Sequence, residues 1–404
     1  MEEKTRPYSL FHKELLPKEE VLEVGKQQKQ LVIGIPRESQ ADEKRIALTP
    51  LSVELMVNNG HKVVFETNAG LSSNFVDNDY LVAGASIVKN KEDVYQSDII
   101  LKIAPLNPEE CEILKGSQTI ISALNIGSLS KTYFECLIGK KLTALAYEFI
   151  KDEHGSYPVV RSISEIVGIK SILIASEYLS NEHDGKGKIL GGVTGVNPSE
   201  VVILGAGTAG EYAARTALGL GAVVKIFDPS IFRLRQLQNN LHQRIFTSIY
   251  QPRVLANALR SADVVIGAIK LIEETQQFIV SEDMVRNMKN GSVIIDISID
   301  QGGCFETSHV TTHKDPVFRK HGVIHYCVPN IASKVARTAS YALSNIFAPV
   351  LLRIGEAGGV EHLIRDDKGL RNGVYIYKGI LTNYHIGNYF DISSKDINLF
   401  ISDF

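Results

Sequence analysis

Six residues, Gly205-Ala206-Gly207-Thr208-Ala209-Gly210, follow directly on the apolar run Val201-Val202-Ile203-Leu204 and lead into Glu211-Tyr212-Ala213-Ala214-Arg215. A GxGxxG spacing is weak when it stands alone. Between a strand and a helix it is what a dinucleotide pyrophosphate needs. Gly205 permits the tight turn, Gly207 lets the phosphates approach the backbone, and Gly210 lets helix and strand pack closely. The positive end of the helix then faces the phosphates. The next apolar run, Val223-Val224-Lys225-Ile226-Phe227, ends in Asp228, 18 residues past Gly210 (228 − 210). A carboxylate there can hold both ribose hydroxyls and repels a 2′-phosphate, so the expected cofactor is NAD rather than NADP. Arg233 and Arg235, just downstream, pull toward the phosphorylated form.

Such a loop has to stand at the end of a strand in a packed sheet, and the rest of the chain supplies one. Val201–Leu204, Val223–Phe227, Asp263–Ala268, Ser292–Ile297 and Val323–Cys327 read as strands of one α/β unit. An earlier unit starts at Leu31-Val32-Ile33-Gly34-Ile35, closed by Pro36, and continues through Lys62–Glu66, Asp98–Ile103 and Thr119–Leu124. A helix is expected from Thr49 to Asn59, with Thr49 as cap, Pro50 in the first turn and Gly60 at the end. A second helix is expected over Ser164–Leu179, followed by a glycine-rich surface loop through Asp184-Gly185-Lys186-Gly187-Lys188 and Gly191-Gly192. Repeated βα units predict parallel sheets with helices on both faces. The fold class is therefore α/β, with two doubly wound, Rossmann-like domains.

The expected division is an N-terminal arm over 1–30, a substrate domain from 31–157 plus 338–404, and an NAD(H)-binding domain over 158–337. The helical stretch Thr338–Ile354 is expected to return to the first domain. Pro17 before Lys18-Glu19-Glu20 reads as a helix start in the arm. The segment from about Asp366 to Phe404 has weak periodicity and no assigned element.

At 404 residues the chain exceeds what one core usually supports. Its net charge of -3 gives no electrostatic case for nucleic acid or an anionic membrane. No apolar run approaches the roughly 20 residues that span a bilayer, and Met1–Arg6 is not a signal peptide. Cys111, Cys136, Cys304 and Cys327 lie far apart without a CxxC pair, which suggests neither a zinc site nor disulfides. A reduced, cytoplasmic protein is the simplest reading. Glu148 and the scattered histidines show no metal-ligand spacing, and Glu148 reads as a satisfied carboxylate in the cleft wall.

Several further segments are specific. They are Arg37-Glu38 with Lys44-Arg45-Ile46-Ala47-Leu48-Thr49-Pro50, Ala146-Tyr147-Glu148, and Ser164-Glu165-Ile166-Val167-Gly168. Then come Ile299-Asp300-Gln301-Gly302-Gly303-Cys304, Thr311-Thr312-His313, and His325-Tyr326-Cys327-Val328-Pro329-Asn330. With the glycine loop, these resemble the alanine dehydrogenase and pyridine nucleotide transhydrogenase family over roughly Leu31–Leu352. The run from Asp300 to Cys304 is similar to the dehydrogenases.

The resemblance implies an NAD-dependent oxidoreductase that reversibly deaminates L-alanine to pyruvate and ammonium, assembled as a homo-hexamer. It makes Arg45 the carboxylate clamp, suited by its guanidinium fork, and Asp300 the catalytic aspartate near the nicotinamide. Asn330 becomes a cofactor contact. Ser164 becomes a pyrophosphate contact, with a plain helix cap as its rival. Ala206, Thr208 and Ala209 share the cofactor loop with the three glycines.

Two positions depart from the family. Ala104 stands where a substrate-binding lysine is expected, and Asn125 where a catalytic histidine is expected. Asparagine hydrogen-bonds but does not exchange protons near neutral pH. Three readings stay open. Lys102, about 7 Å along the strand from Ala104, takes over as the cation, with His154 or His325 as base. Alternatively the reaction is changed toward the transhydrogenase type, or the chain binds NAD(H) without dehydrogenase activity.

Overall fold

The computed structural model describes residues 29–269 and 278–401. The expected helix start at Pro17 lies outside these. In the first sheet run β1 (Val32–Ile35), β2 (Lys62–Glu66), β3 (Ser86–Val88), β4 (Ile99–Leu101), β5 (Thr119–Ser122) and β6 (Thr143–Ala146). The second sheet holds β7 (Glu200–Leu204), β8 (Val223–Phe227), β9 (Phe246–Ser248), β10 (Val264–Gly267), β11 (Val293–Asp296), β12 (Val317–Lys320) and β13 (Val323–Tyr326). The chain then returns to the first sheet with β14 (Val374–Tyr377) and β15 (Ile380–Leu381).

Strand order is β15-β14-β6-β5-β4-β1-β2-β3 in one sheet and β12-β13-β11-β10-β7-β8-β9 in the other. Read from its own first strand, the first sheet contains the doubly wound order 3-2-1-4-5-6; the second shares 3-2-1-4-5, with its seventh strand, β13, in the sixth place. Both therefore have a switch point beside that strand, where such folds bind ligands. In the first sheet the switch lies between β1 and β4, in the second between β7 and β10.

The sheets are not wholly parallel. β12 runs antiparallel to β13, and β14 antiparallel to both β6 and β15. β14 thus supplies the missing element in the C-terminal segment, and it is buried at every position.

Central strands are apolar throughout because helices cover both faces. In β7, Val201 and Ile203 enter one core cluster while Val202 and Leu204 enter another, as alternation across a strand requires. The helix Ala336–Glu356 places Leu343, Phe347, Leu351 and Ile354 in the first domain's core, at the spacing of one helix face. Full burial of each such side chain stabilises by about 1.5–3 kcal/mol. The same helix offers Ser340 Oγ to the Ile46 amide at 2.9 Å and Ser344 Oγ to the Thr49 amide at 2.9 Å. Ser333, just before it, takes the Lys44 amide at 2.9 Å. The 42–49 loop is thereby pinned by residues almost three hundred positions further on.

Two local expectations need correcting. The helix over Pro50–Asn58 has Thr49 in the cap position, but its hydroxyl meets Ser344 Oγ at 3.2 Å instead of a helix amide. Cys111 and Cys136 form a disulfide, against the expectation of none, because neighbouring helices over Pro108–Ile113 and Lys131–Gly139 bring them together. Cys304 and Cys327 are free and buried. Among the described residues no helix is long and apolar enough to cross a membrane.

Candidate active site

The glycine loop leaves β7 at the second switch point. Gly205 has φ +109°, and a Cβ on it would lie 2.3 Å from the Ala268 carbonyl oxygen. A Cβ on Gly210 would lie 1.9 Å from the Gly205 oxygen, so the turn and the helix over Thr208–Gly219 can close only without side chains there. A Cβ on Gly207 would meet nothing within 4 Å, which is the open face that a pyrophosphate can approach. This cradle fits a dinucleotide.

Asp228, at the end of β8, is buried. Its Oδ2 accepts the Ala206 amide at 2.8 Å and its Oδ1 the Ser230 amide at 2.8 Å. The carboxylate therefore braces the cofactor loop from the end of β8. Ser164 is no helix cap: the helix runs Pro158–Tyr178, and Tyr157 holds the cap position. Ser164 lies one turn before Gly168, where a Cβ would come 2.3 Å from the Ala209 oxygen. The shared helix face therefore lies against the start of the helix that leaves the glycine loop.

Arg45 sits in the loop after β1. Its Nε and Nη2 donate to Glu43 Oε1 at 2.8 Å and Glu43 Oε2 at 2.6 Å, a bidentate fork. Burial alone would lower the guanidinium's pKa, but the Glu43 fork more than offsets this and holds it charged. Asn330 Nδ2, from the other domain, donates to the same Glu43 Oε2 at 2.9 Å. Asn330 adopts φ 57°, the left-handed conformation that asparagine tolerates.

Asp300 lies in the short helical turn after β11, close enough to feel the charge of Arg45. Its side chain is solvent-exposed, yet the protein mass around it raises its carboxyl, and Arg45 opposes that. Behind it, buried Asp296 takes the Ser308 hydroxyl at 2.7 Å and the Cys304 amide at 3.1 Å, fixing the loop. Burial pushes Asp296 up to about 6. The loop after β1 thus meets the loops after β13 and β11, through the Glu43–Asn330 hydrogen bond and the charges of Arg45 and Asp300.

Lys102 does not take the vacant cationic position, and the structure corrects that expectation. Its side chain is 0% exposed, and its ammonium donates to Glu110 Oε1 at 2.8 Å and Oε2 at 2.7 Å, with Glu38 Oε2 at 4.0 Å. Glu110 is fixed there by a capping box: Asn107 Oδ1 accepts the Glu110 amide at 2.8 Å, and Glu110 Oε2 accepts the Asn107 amide at 2.8 Å. Glu38 instead occupies the strand end, accepting the Ile103 amide at 2.6 Å and the Ala104 amide at 3.2 Å. Burial raises Glu38 to about 7, against the pull of Lys102. Tyr147 donates its hydroxyl to the Ile103 oxygen at 2.8 Å and stands near Arg45.

Asn125 is exposed and begins the turn Ile126–Ser128. The amide before it, on Leu124, donates to Glu148 Oε1 at 2.6 Å. Glu148 Oε2 is buried without a hydrogen-bond partner, so this carboxylate is only half satisfied. Neither histidine considered as a base is placed for it. His154 is exposed on a turn beside Glu153, and His325 is fully buried, bonded to Thr307 at 2.8 Å and stacked on Phe318. Burial lowers His325 to about 4. Glu38 and Tyr147 were legible only as parts of motifs, and Glu43 stood in none of them. Nothing in their spacing announced that they surround Arg45.

Fold and cradle define a two-domain, dinucleotide-binding α/β protein of the dehydrogenase type. The comparisons narrow the class. Residues 34–167 match the alanine dehydrogenase/PNT N-terminal domain, and residues 171–384 match the alanine dehydrogenase/PNT C-terminal domain. The chain is 39% identical over 366 residues to alanine dehydrogenase 2 of Staphylococcus aureus (strain USA300), covering 90% of this chain and 98% of that protein. Among solved structures, an L-alanine dehydrogenase superposes with a TM-score of 0.84 at 34% identity, over 89% of this chain and 99% of that one. A transhydrogenase from Sinorhizobium meliloti shares the fold, with a TM-score of 0.74 at 24% identity, over 88% of this chain and 99% of that one. The chain belongs to the alanine dehydrogenase/PNT family.

Proposed function

We infer that this chain is an NAD-dependent alanine dehydrogenase, converting L-alanine, water and NAD to pyruvate, ammonium and NADH. The observation that carries this reading is the forked Arg45 at one switch point, joined through Glu43 to Asn330, just after β13 in the sheet that bears the glycine cradle. A protein that only held a nucleotide has little physical need for a carboxylate clamp.

Gly205 through Gly210, Asp228, Asn330 and Ser164 would hold the dinucleotide, whose nicotinamide supplies the acceptor for the hydride from Cα. Arg45 binds the substrate carboxylate by exchanging it for Glu43, one fork for another. Asp300 places negative charge where positive charge develops on the substrate nitrogen. Asn125 is exposed and free to orient an amine or water by hydrogen bonding. Exposed apolar side chains at Ile189, Val193, Val196, Leu220 and Val223 support a homo-oligomer.

A second reading, NAD(H) binding without alanine dehydrogenase activity, is favoured by buried Lys102 and by Ala104. Purified protein mixed with NADH, ammonium and pyruvate separates the two. Absorbance loss that needs both ammonium and pyruvate is the expected result. NADH binding by fluorescence, without turnover on pyruvate or a panel of keto acids, would leave only the second reading.

A further inference from the structure

Deamination needs a group that takes and returns protons at the reacting carbon. Several titratable side chains stand near the meeting of the two domains. Glu43 is locked in its fork with Arg45. Glu38 spends its oxygens on two amides and faces Lys102. His313 has a buried, unpartnered Nε2, but burial lowers its pKa and, with Lys334 and Lys44, outweighs the opposing Asp42 charge and the Asn330 backbone bond. An imidazolium beside two ammonium groups is disfavoured. Asp300 serves from the other sheet, under the charge of Arg45.

Glu148 differs from all of these. It leaves the C-terminal end of β6, beside the end of β5 that carries Asn125. One oxygen is anchored by the Leu124 amide, which fixes the carboxyl group, and the other is buried with no partner. A buried, unpaired acceptor is costly, and such a cost is tolerated at sites that act. The groups around it are the phenols of Tyr147 in its own turn, Tyr133 from the helix over Lys131–Gly139, and Tyr375 from β14. Burial pushes all three phenols up, so they stay neutral. Burial raises the Glu148 carboxyl as well, opposed only by the amides of Leu124 and of Glu148 itself.

We propose that Glu148 is the acid/base of the reaction, moving protons through Oε2, while Asn125 orients the water and amine. This rests on the dehydrogenase reading above. Once Cα has lost its hydride, an iminium ion remains. Water adds to its carbon. A C–O bond forms, the C=N π pair moves to nitrogen, and one water proton passes to Oε2, giving the neutral carbinolamine. Glu148 returns that proton to nitrogen. The C–N bond then breaks with its electron pair on nitrogen, and the hydroxyl O–H pair closes the C=O. The released proton passes through Glu148 to ammonia. The sum is iminium plus water to keto acid plus ammonium, with Glu148 regenerated.

The test uses the full chain and Glu148→Gln, which keeps an oxygen for the Leu124 amide. Expected are a loss of kcat of about 100-fold or more, disappearance of one ionisation from the kcat–pH profile, and NADH binding and melting temperature near those of the native chain. Formate should restore part of the turnover of Glu148→Ala. In the infrared spectrum of the free protein, Glu148→Gln should lose a carboxylic-acid carbonyl band that titrates above the ordinary glutamate range. Turnover within about threefold of native with an unchanged pH profile, or no band lost, would overturn the proposal. If Glu148→Gln does not fold, Asn125→His decides. A new ionisation in the profile supports proton transfer at this spot, and an unaltered profile refutes it. A native chain that binds NADH but turns over no keto acid sinks the dehydrogenase reading itself, and the role of Glu148 with it. That outcome is distinct from an active enzyme indifferent to Glu148.

Discussion

Replacing Lys102 by methionine separates two roles that its sequence position leaves open. In the structure the ammonium is fully buried, with both Glu110 oxygens within 2.8 Å and Glu38 at 4.0 Å. Lys102→Met strands two carboxylates in the core. Breaking a buried pair by removing one partner typically destabilises by about 3–5 kcal/mol. The cost here depends on pH with a definite sign. Without the cation, the folded-state pKa of Glu38 rises beyond the present value of about 7, while its unfolded value stays near 4.5. A raised carboxyl penalises the folded state at high pH, and the penalty fades as pH falls toward the unfolded value. Urea melts of Lys102→Met should therefore show about 3–5 kcal/mol lost at pH 8 and much less at pH 5. The double variant Lys102→Met/Glu110→Leu should recover only the share of the loss due to Glu110, because Glu38 stays stranded and the Asn107 amide loses its acceptor. At a pH where it is folded, Lys102→Met should keep most of its turnover. Loss of less than about 1 kcal/mol at pH 8, with kcat/KM for pyruvate collapsing, would refute the reasoning and mean that the ammonium reaches substrate.

Arg45→Lys replaces a planar fork with a point charge, and should lower kcat/KM for pyruvate by about 100-fold while leaving NADH fluorescence titrations nearly unchanged. Gly210→Ala puts a methyl 1.9 Å from the Gly205 oxygen, so the loop must open. NADH binding should fall by at least about tenfold, because the backbone no longer presents its amides to the phosphates. Glu38→Gln removes a group shifted from 4.5 to about 7. Its stability, followed by urea melts from pH 5 to pH 8, should lack a fall of about 3 kcal/mol that the native chain shows, whatever constant cost the lost acceptor adds.

The cofactor half of the site was readable because its chemistry is local. A strand, three glycines at fixed spacing, a helix and an acid at the next strand end lie within thirty residues, and each has a steric reason. The return of the helix over Ala336–Glu356 was readable from its length and from the second sheet being already full. Three features were not, and each depends on distant contacts. Strand β14 is four residues long and buried on all sides, so it carries no alternation to detect. The direction of the Lys102 side chain is settled by Glu110. Neither the capping box Asn107-Pro108-Glu109-Glu110 that fixes Glu110 nor its fit to a lysine on the preceding strand was read from the sequence. The disulfide joins cysteines 25 residues apart on two helices whose packing no motif announces. Ser164 was misjudged as a start because Pro158, the actual first residue of its helix, lies six positions earlier.

The serines that pin the 42–49 loop set an order of events during synthesis. The amides of Lys44, Ile46 and Thr49 leave the ribosome early, but their acceptors on Ser333, Ser340 and Ser344 emerge only near the end. The nascent first domain must wait, with its arginine loop unheld, while the whole of the second domain is made and folded. A chain stopped near residue 330 would carry every strand of the second sheet and the full glycine cradle, yet no fixed place for Arg45. Quality control that senses the loose loop would therefore be reporting on the completion of the entire chain.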